Sequence, residues 1–285
     1  MMNNNEMVLK TVDVGDVSIQ YLTSQNDGPA IVFLHATGFL PWLWKPIARQ
    51  FSDAYRVIAP YFCDHREADP HEGGLSWALL AEDLAGFCAA LDIQSPCMVG
   101  HSMGGAVIAI AAGALGLKVK KTVLIEPIFL PQEIYSIDLT VDQHPLASKS
   151  IRRRNSWADA KEAKAYLKSK RLFAAWDDEM LDLYVAYGMA PAAEGGLSLV
   201  CHPKKEAALF MGSRGYDPWP ILSQVACPVL VLEGEHTENK GFIDQKKIAA
   251  MFPAGEYHLV ENAGHLIPME RPKETANIIR EFFER

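Results

Sequence analysis

Five stretches, AIVFLHA (30–36), YRVIAPYF (55–62), PCMVGHS (96–102), KTVLIEP (121–127) and CPVLVLEG (227–234), are apolar nearly throughout, and helix-like segments intervene between them. A strand that buries one face alternates apolar and polar residues; a strand apolar on both faces belongs in a parallel sheet covered on both sides. Parallel neighbours cannot be joined by a tight hairpin, so the chain must cross over the sheet between them, usually as a helix. The pattern therefore predicts the α/β class, with a mostly parallel central sheet flanked by helices. VSIQYLT (17–23) alternates instead and is read as an antiparallel first strand, while EYHLVENAGH (256–265) supplies the last one.

Between Pro127 and about Leu222 the strand pattern stops. WADAKEAKAYLKSK (157–170), DEMLDLYVAYGM (178–189) and PKKEAALFMG (203–212) have helical patterning, which predicts a helical cap inserted into the sheet domain. The expected division is 1–129 and 223–285 for the two parts of the core and 130–222 for the cap. A separate all-helical domain fits less well, because a sheet strand and a candidate catalytic histidine follow the segment.

With 285 residues, 49% of them hydrophobic, the chain has ample material for a buried core. Its net charge of −8 and the lack of a Lys/Arg block argue against nucleic acid or an anionic membrane as partner. The short cluster Arg152, Arg153 and Arg154 is read as a solvated helix face. Five cysteines, Cys63, Cys88, Cys97, Cys201 and Cys227, are odd in number and form no CxxC pair, so a reducing, cytoplasmic setting is expected, with neither a disulfide framework nor a zinc site. The start MMNNNEMVLK has no apolar core of the kind a secretion signal needs, and no run is long enough to span a membrane. The longest apolar stretch, 106–117, is rich in Ala and Gly and is expected to be a buried helix.

GHSMG (100–104) fits the G-x-S-x-G pattern, which alone is weak. Its context strengthens it: an apolar strand runs directly in and a helix of small residues, GGAVIAIAAGA, runs directly out. A strand-turn-helix of this kind is a nucleophile elbow, a strained turn that lifts the Ser102 hydroxyl above the sheet edge. The following helix N-terminus offers backbone N–H groups and a positive dipole end to a developing oxyanion. The competing reading is a serine that merely caps the helix.

With FLHATGF, VLIEPIFLP and NAGHLIPMERP added to VGHSMGG, residues 30–285 resemble the α/β-hydrolase fold superfamily, in particular its capped, esterase-like branch. A serine hydroxyl needs an imidazole to take its proton. Chain order and the loop after the last strand make His265 the candidate base, with Gly264 letting its loop approach the elbow. The resemblance implies oxyanion donors at the amides of Met103 and Thr37, though Ala36 stands where relatives usually have glycine. Phe39, Trp42 and Trp44 are pocket walls or ordinary core. His35 and His101 occupy motif positions that the resemblance assigns to structural roles. His65, in CDHREAD, stands where relatives have glycines on either side, and Asp64, His65 and Glu67 lack a further ligand at metal-binding spacing.

One motif is incomplete. In relatives the loop after CPVLVLEG usually carries a catalytic Asp three residues past the Gly, and here that position is Thr237. Glu126, at the end of KTVLIEP, is the first candidate to replace it: its strand should lie between the nucleophile strand and CPVLVLEG, Pro127 biases it toward extended backbone, and glutamate has the longer reach. Some relatives place their acid at this strand end. Glu235 and Glu238 compete.

Ser at position 102 disfavours the displacement chemistry of relatives with an Asp nucleophile, and no dinucleotide or phosphate-loop fingerprint is present, so no cofactor and no metal are implied. The expected protein is a serine hydrolase of carboxylic esters with a Ser102-His265-Glu126 triad, acting on a small ester-like molecule as a monomer or homodimer. A lactonase, thioesterase, carbon–carbon bond hydrolase or acyltransferase of the same mechanism, or a ligand-binding receptor that keeps the fold, are the alternatives.

Overall fold

The computed structural model describes residues 6–285. Ten strands are formed among them: β1 (Val8–Val14), β2 (Val17–Thr23), β3 (Ala30–Leu34), β4 (Arg56–Pro60), β5 (Cys97–His101), β6 (Lys121–Ile125), β7 (Met189–Pro191), β8 (Leu197–Leu199), β9 (Val229–Gly234) and β10 (Gly255–Val260). Eight build one sheet in the order β1-β2-β4-β3-β5-β6-β9-β10, parallel from β4 to β10, with β2 antiparallel to both of its neighbours. All five apolar runs form central strands; β5 and β9 are buried along their whole length, as strands covered on both faces must be.

Helices α1 (Lys45–Ala48), α2 (Trp77–Ala90) and α3 (Met103–Ala114) precede β6, and α8 (Gln245–Met251), α9 (Ile267–Glu270) and α10 (Pro272–Glu284) follow β9. The segment between β6 and β9 carries α4 (Ala147–Ser150), α5 (Ala160–Lys168), α6 (Asp178–Tyr187), α7 (Pro203–Gly212) and the small hairpin β7-β8, which helical patterning did not reveal. α3 is the buried helix expected from its Ala- and Gly-rich sequence, and no helix among the described residues is long and apolar enough to cross a membrane.

The inserted segment leans on the core through specific contacts. The indole of Trp77 donates to Leu209 O (2.9 Å), Leu75 N–H donates to Ala208 O (3.0 Å), and Trp42 stacks on Tyr187 with ring centroids 3.9 Å apart. Trp44 is core, packed on Phe33, whereas Phe39 meets Trp176 and Tyr184 of the insert. The arginine cluster departs from its sequence reading. It lies in a turn after α4, not on a helix; Arg152 and Arg154 face solvent, Arg152 with a loose ion pair to Asp142 and Arg154 paired with Glu162, whereas Arg153 turns inward to Glu206 of α7, 53 residues away in sequence, a partner no local pattern could reveal.

Candidate active site

β5 ends at His101 and α3 begins at Met103, so Ser102 is the whole of the turn between them. Its φ of 55° and ψ of −114° lie in a region that side chains avoid, a strain on the order of 1–3 kcal/mol that surrounding structure must hold. Ser102 N–H donates to Ile125 O (2.9 Å) and its carbonyl accepts from Gly105 and Ala106. A Cβ at position 104 would fall 2.5 Å from Leu34 O, so only glycine lets α3 start this close to β3. The Ser102 side chain does not cap α3, and among the described residues its hydroxyl forms no hydrogen bond.

Glu126 and His265 meet directly. His265 Nδ1 lies 3.0 Å from Glu126 Oε2. Glu126 is fully buried and its carboxylate is surrounded by donors: Gly234 N–H to Oε1 (2.8 Å), Thr237 Oγ1–H to Oε2 (2.9 Å) and Asn239 Nδ2–H to Oε2 (3.3 Å). With the His265 ring, four donor groups converge on the carboxylate, one at Oε1 and three at Oε2. Asn239 Nδ2 also lies 2.9 Å from His265 Nδ1. With the ring proton on Nδ1 directed to Glu126, no lone pair remains there for the amide; in that tautomer the amide N–H belongs to Glu126 and Nε2 carries the open lone pair.

Thr237, at the vacated Asp position, is thus not idle. Its hydroxyl binds the carboxylate that arrives from β6. Thr237 and Asn239 are contributors that sequence reasoning missed; a polar residue at the expected acid position was the available signal. Glu235 and Glu238 do not bond His265: Glu235 accepts from Asn262 N–H (2.9 Å), and Glu238 is exposed. The strand order places β6 between β5 and β9 as expected, but the backbone of Glu126 is not extended. Its φ is +48°, because its N–H continues the ladder to Leu232 O (2.8 Å) while the side chain turns toward Gly234. Tertiary bonds override the bias that Pro127 imposes.

His101 and His35 support this geometry. His101 Nε2–H donates to His265 O (2.9 Å), tying the His265 backbone to β5, and the two rings lie 5.1 Å apart. Gly264 closes against Gly234, not against the elbow: a Cβ on Gly234 would sit 2.2 Å from Gly264 O. His35 accepts from Phe62 N–H through Nε2 (2.9 Å) and donates through Nδ1 to Ala36 O (2.9 Å), bracing the loop 35–39.

Burial pushes both His35 and His101 down from the usual histidine value, His35 to about 4. The unfolded chain then binds a proton on His35 near pH 6.5 that the folded chain refuses until about 4, so stability falls as pH drops through that window. The His35 contribution to the loss is on the order of 3 kcal/mol. Urea unfolding between pH 7 and 4, with NMR of the His35 ring, checks this; a His35 ring titrating near 6.5 in the folded protein would contradict it.

Thr37, in the loop after β3, and Met103, the first residue of α3, are both buried. Asp64, His65 and Glu67 go separate ways. The His65 ring bonds Asp83 (2.8 Å), which Arg66 also holds, Glu67 pairs with Lys205, and Asp64 accepts from the Cys63 thiol. CDHREAD is thereby anchored to α2 and α7.

Comparison with known proteins agrees with this architecture. The family model described as "Alpha/beta hydrolase family" matches residues 31–278. Over 282 residues the chain is 23% identical to a 2-(acetamidomethylene)succinate hydrolase of Mesorhizobium japonicum, covering 99% of this chain and 97% of that protein. The solved structure of E-2-(acetamidomethylene)succinate hydrolase superposes with a TM-score of 0.80 at 21% identity, over 98% of this chain and all of that one. A thermophilic esterase from Thermogutta terrifontis, solved with malate bound, superposes with a TM-score of 0.69 at 22% identity, over 98% of each chain.

Proposed function

The chain belongs to the alpha/beta hydrolase family, and from that premise we propose that it hydrolyses a carboxylic ester through an acyl-enzyme intermediate, with Ser102 as nucleophile, His265 as base and Glu126 as the orienting acid. The observation that carries this reading is the bond from His265 to the buried, multiply hydrogen-bonded Glu126, beside an elbow whose serine hydroxyl is uncommitted.

In this reading His265 Nε2 takes the Ser102 proton as Oγ attacks the carbonyl carbon. The negative charge that moves to the carbonyl oxygen is met by the N–H groups of Thr37 and Met103. Glu126 holds the ring in the tautomer that keeps Nε2 free and stabilises the imidazolium. The ring then protonates the departing alcohol, and a water deprotonated by the same nitrogen releases the acid. No hydrogen bond joins the serine and the base; such contacts often close only when substrate is bound.

We assign residues 130–222 the role of a cap that shapes the acyl pocket. Supporting this, Trp176 and Tyr184 pack on Phe39, directly beyond the loop that carries Thr37. The same machinery serves lactones, thioesters, carbon–carbon bonds and acyl transfer, and the choice among them lies in pocket shape. A fluorophosphonate probe followed by a panel of esters of varied acyl length tests the proposal. Labelling that maps to Ser102, with turnover of at least one ester class, is expected. Failure to label would leave a ligand-binding protein on a hydrolase fold.

A further inference from the structure

Gly38 follows Thr37, and the inserted segment rests directly on it. Its φ is +78°, and a Cβ built there would lie 2.2 Å from Glu206 Oε1. Glu206 is 7% exposed. A buried anion this close to a loop that must receive negative charge opposes the reaction unless something neutralises it. Arg153 does so: Nη1 donates to Oε1 (3.0 Å) and Oε2 (2.8 Å), and Nη2 reaches the Tyr184 hydroxyl at 3.4 Å. Tyr184 in turn meets Phe39 edge-on, with ring centroids 5.9 Å apart. Glu206 and Tyr184, joined by Arg153, thus bear on consecutive residues of the oxyanion loop, Gly38 and Phe39.

We propose that Arg153 is a positioning residue for oxyanion stabilisation: it pins Glu206 against Gly38 and cancels its charge, so that the insert fixes the Thr37 amide without an uncompensated anion beside it. This rests on the assignments of Ser102 and Thr37 made above. The account is signed in a way that packing alone is not. Removing the cation leaves the oxyanion facing Glu206, whereas removing the anion leaves it facing Arg153. The two substitutions should therefore move the rate in opposite directions.

The test is the rate at which a fluorophosphonate modifies Ser102, measured at about pH 9, where carboxylates are ionised. In that step Ser102 Oγ bonds to phosphorus, fluoride leaves, the hydroxyl proton passes to His265, and the phosphoryl oxygen occupies the oxyanion position. Arg153→Met is expected to slow labelling about 10- to 100-fold. Arg153→Lys, which keeps the charge, recovers most of that loss. Glu206→Gln labels faster than the unsubstituted protein, and the double variant Arg153→Met with Glu206→Gln returns close to it. If Arg153→Met does not unfold cooperatively, Arg153→Gln replaces it. The proposal is overturned if loss of the Arg153 charge leaves the rate unchanged, or if Glu206→Gln slows labelling as Arg153→Met does. An unsubstituted protein that is not labelled at Ser102 would instead overturn the nucleophile assignment, and this inference with it.

Discussion

Ser102→Ala is expected to lower turnover by roughly three to six orders of magnitude while the fold persists. No other group at the elbow could supply the attacking oxygen, so residual activity would reflect binding and the oxyanion donors alone. Stability should change by no more than about 1 kcal/mol, because the hydroxyl makes no hydrogen bond and alanine meets the same φ of 55° that serine does. Turnover of the best ester from the panel, together with the thermal midpoint, provides the check. An alanine variant that kept most of its activity would remove Ser102 from the chemistry altogether.

Glu126→Gln should cost about 10⁴-fold in turnover, close to the effect of neutralising the acid in serine triads generally. The expectation follows from the donors around the carboxylate. Gly234 N–H is fixed backbone and points at Oε1, so the glutamine oxygen must face it. The glutamine NH₂ is then directed at Thr237 and at His265 Nδ1, where the carboxylate had accepted. Thr237 can rotate its hydroxyl to accept. The imidazole can only respond by moving its proton to Nε2, which leaves no base for Ser102. Glu235→Gln and Glu238→Gln, which touch neither group, should stay within a few-fold of the unsubstituted protein. Near-normal turnover in Glu126→Gln would make the relay at most a Ser102-His265 dyad, and a loss confined to Glu235→Gln or Glu238→Gln would move the acid to that residue.

The sheet was legible because strands covered on both faces have little choice of residue, and the five apolar runs all became central strands. β1 was not, since it is an edge strand with mostly exposed or half-exposed residues and carries no hydrophobic signature. The hairpin β7-β8 has three residues in each strand, too few for a period to appear. Within the site, Ser102 and His265 stand in local motifs, and Glu126 could be nominated from the strand order that crossovers imply. What sequence could not supply were partners far apart in the chain. Thr237 and Asn239 lie more than a hundred residues beyond the carboxylate they hold, and Arg153 looked solvated because Glu206 was not adjacent to it. The left-handed backbone of Glu126 likewise comes from docking against β9, which no dipeptide rule contains.

The placement of β6 between β5 and β9 also bears on how the protein is made. Synthesis delivers β1 to β6 first, and these strands can pair with one another as they leave the ribosome. The outer edge of β6, KTVLI, then waits for β9, which is translated roughly a hundred residues later. Throughout that interval an apolar strand with unpaired N–H and C=O groups lies open to another nascent chain. The left-handed turn at Glu126 has no partner to hold it until Leu232 and Gly234 arrive. Pairing β6 with β9 is thus the long-range closure on which both folding speed and escape from aggregation depend.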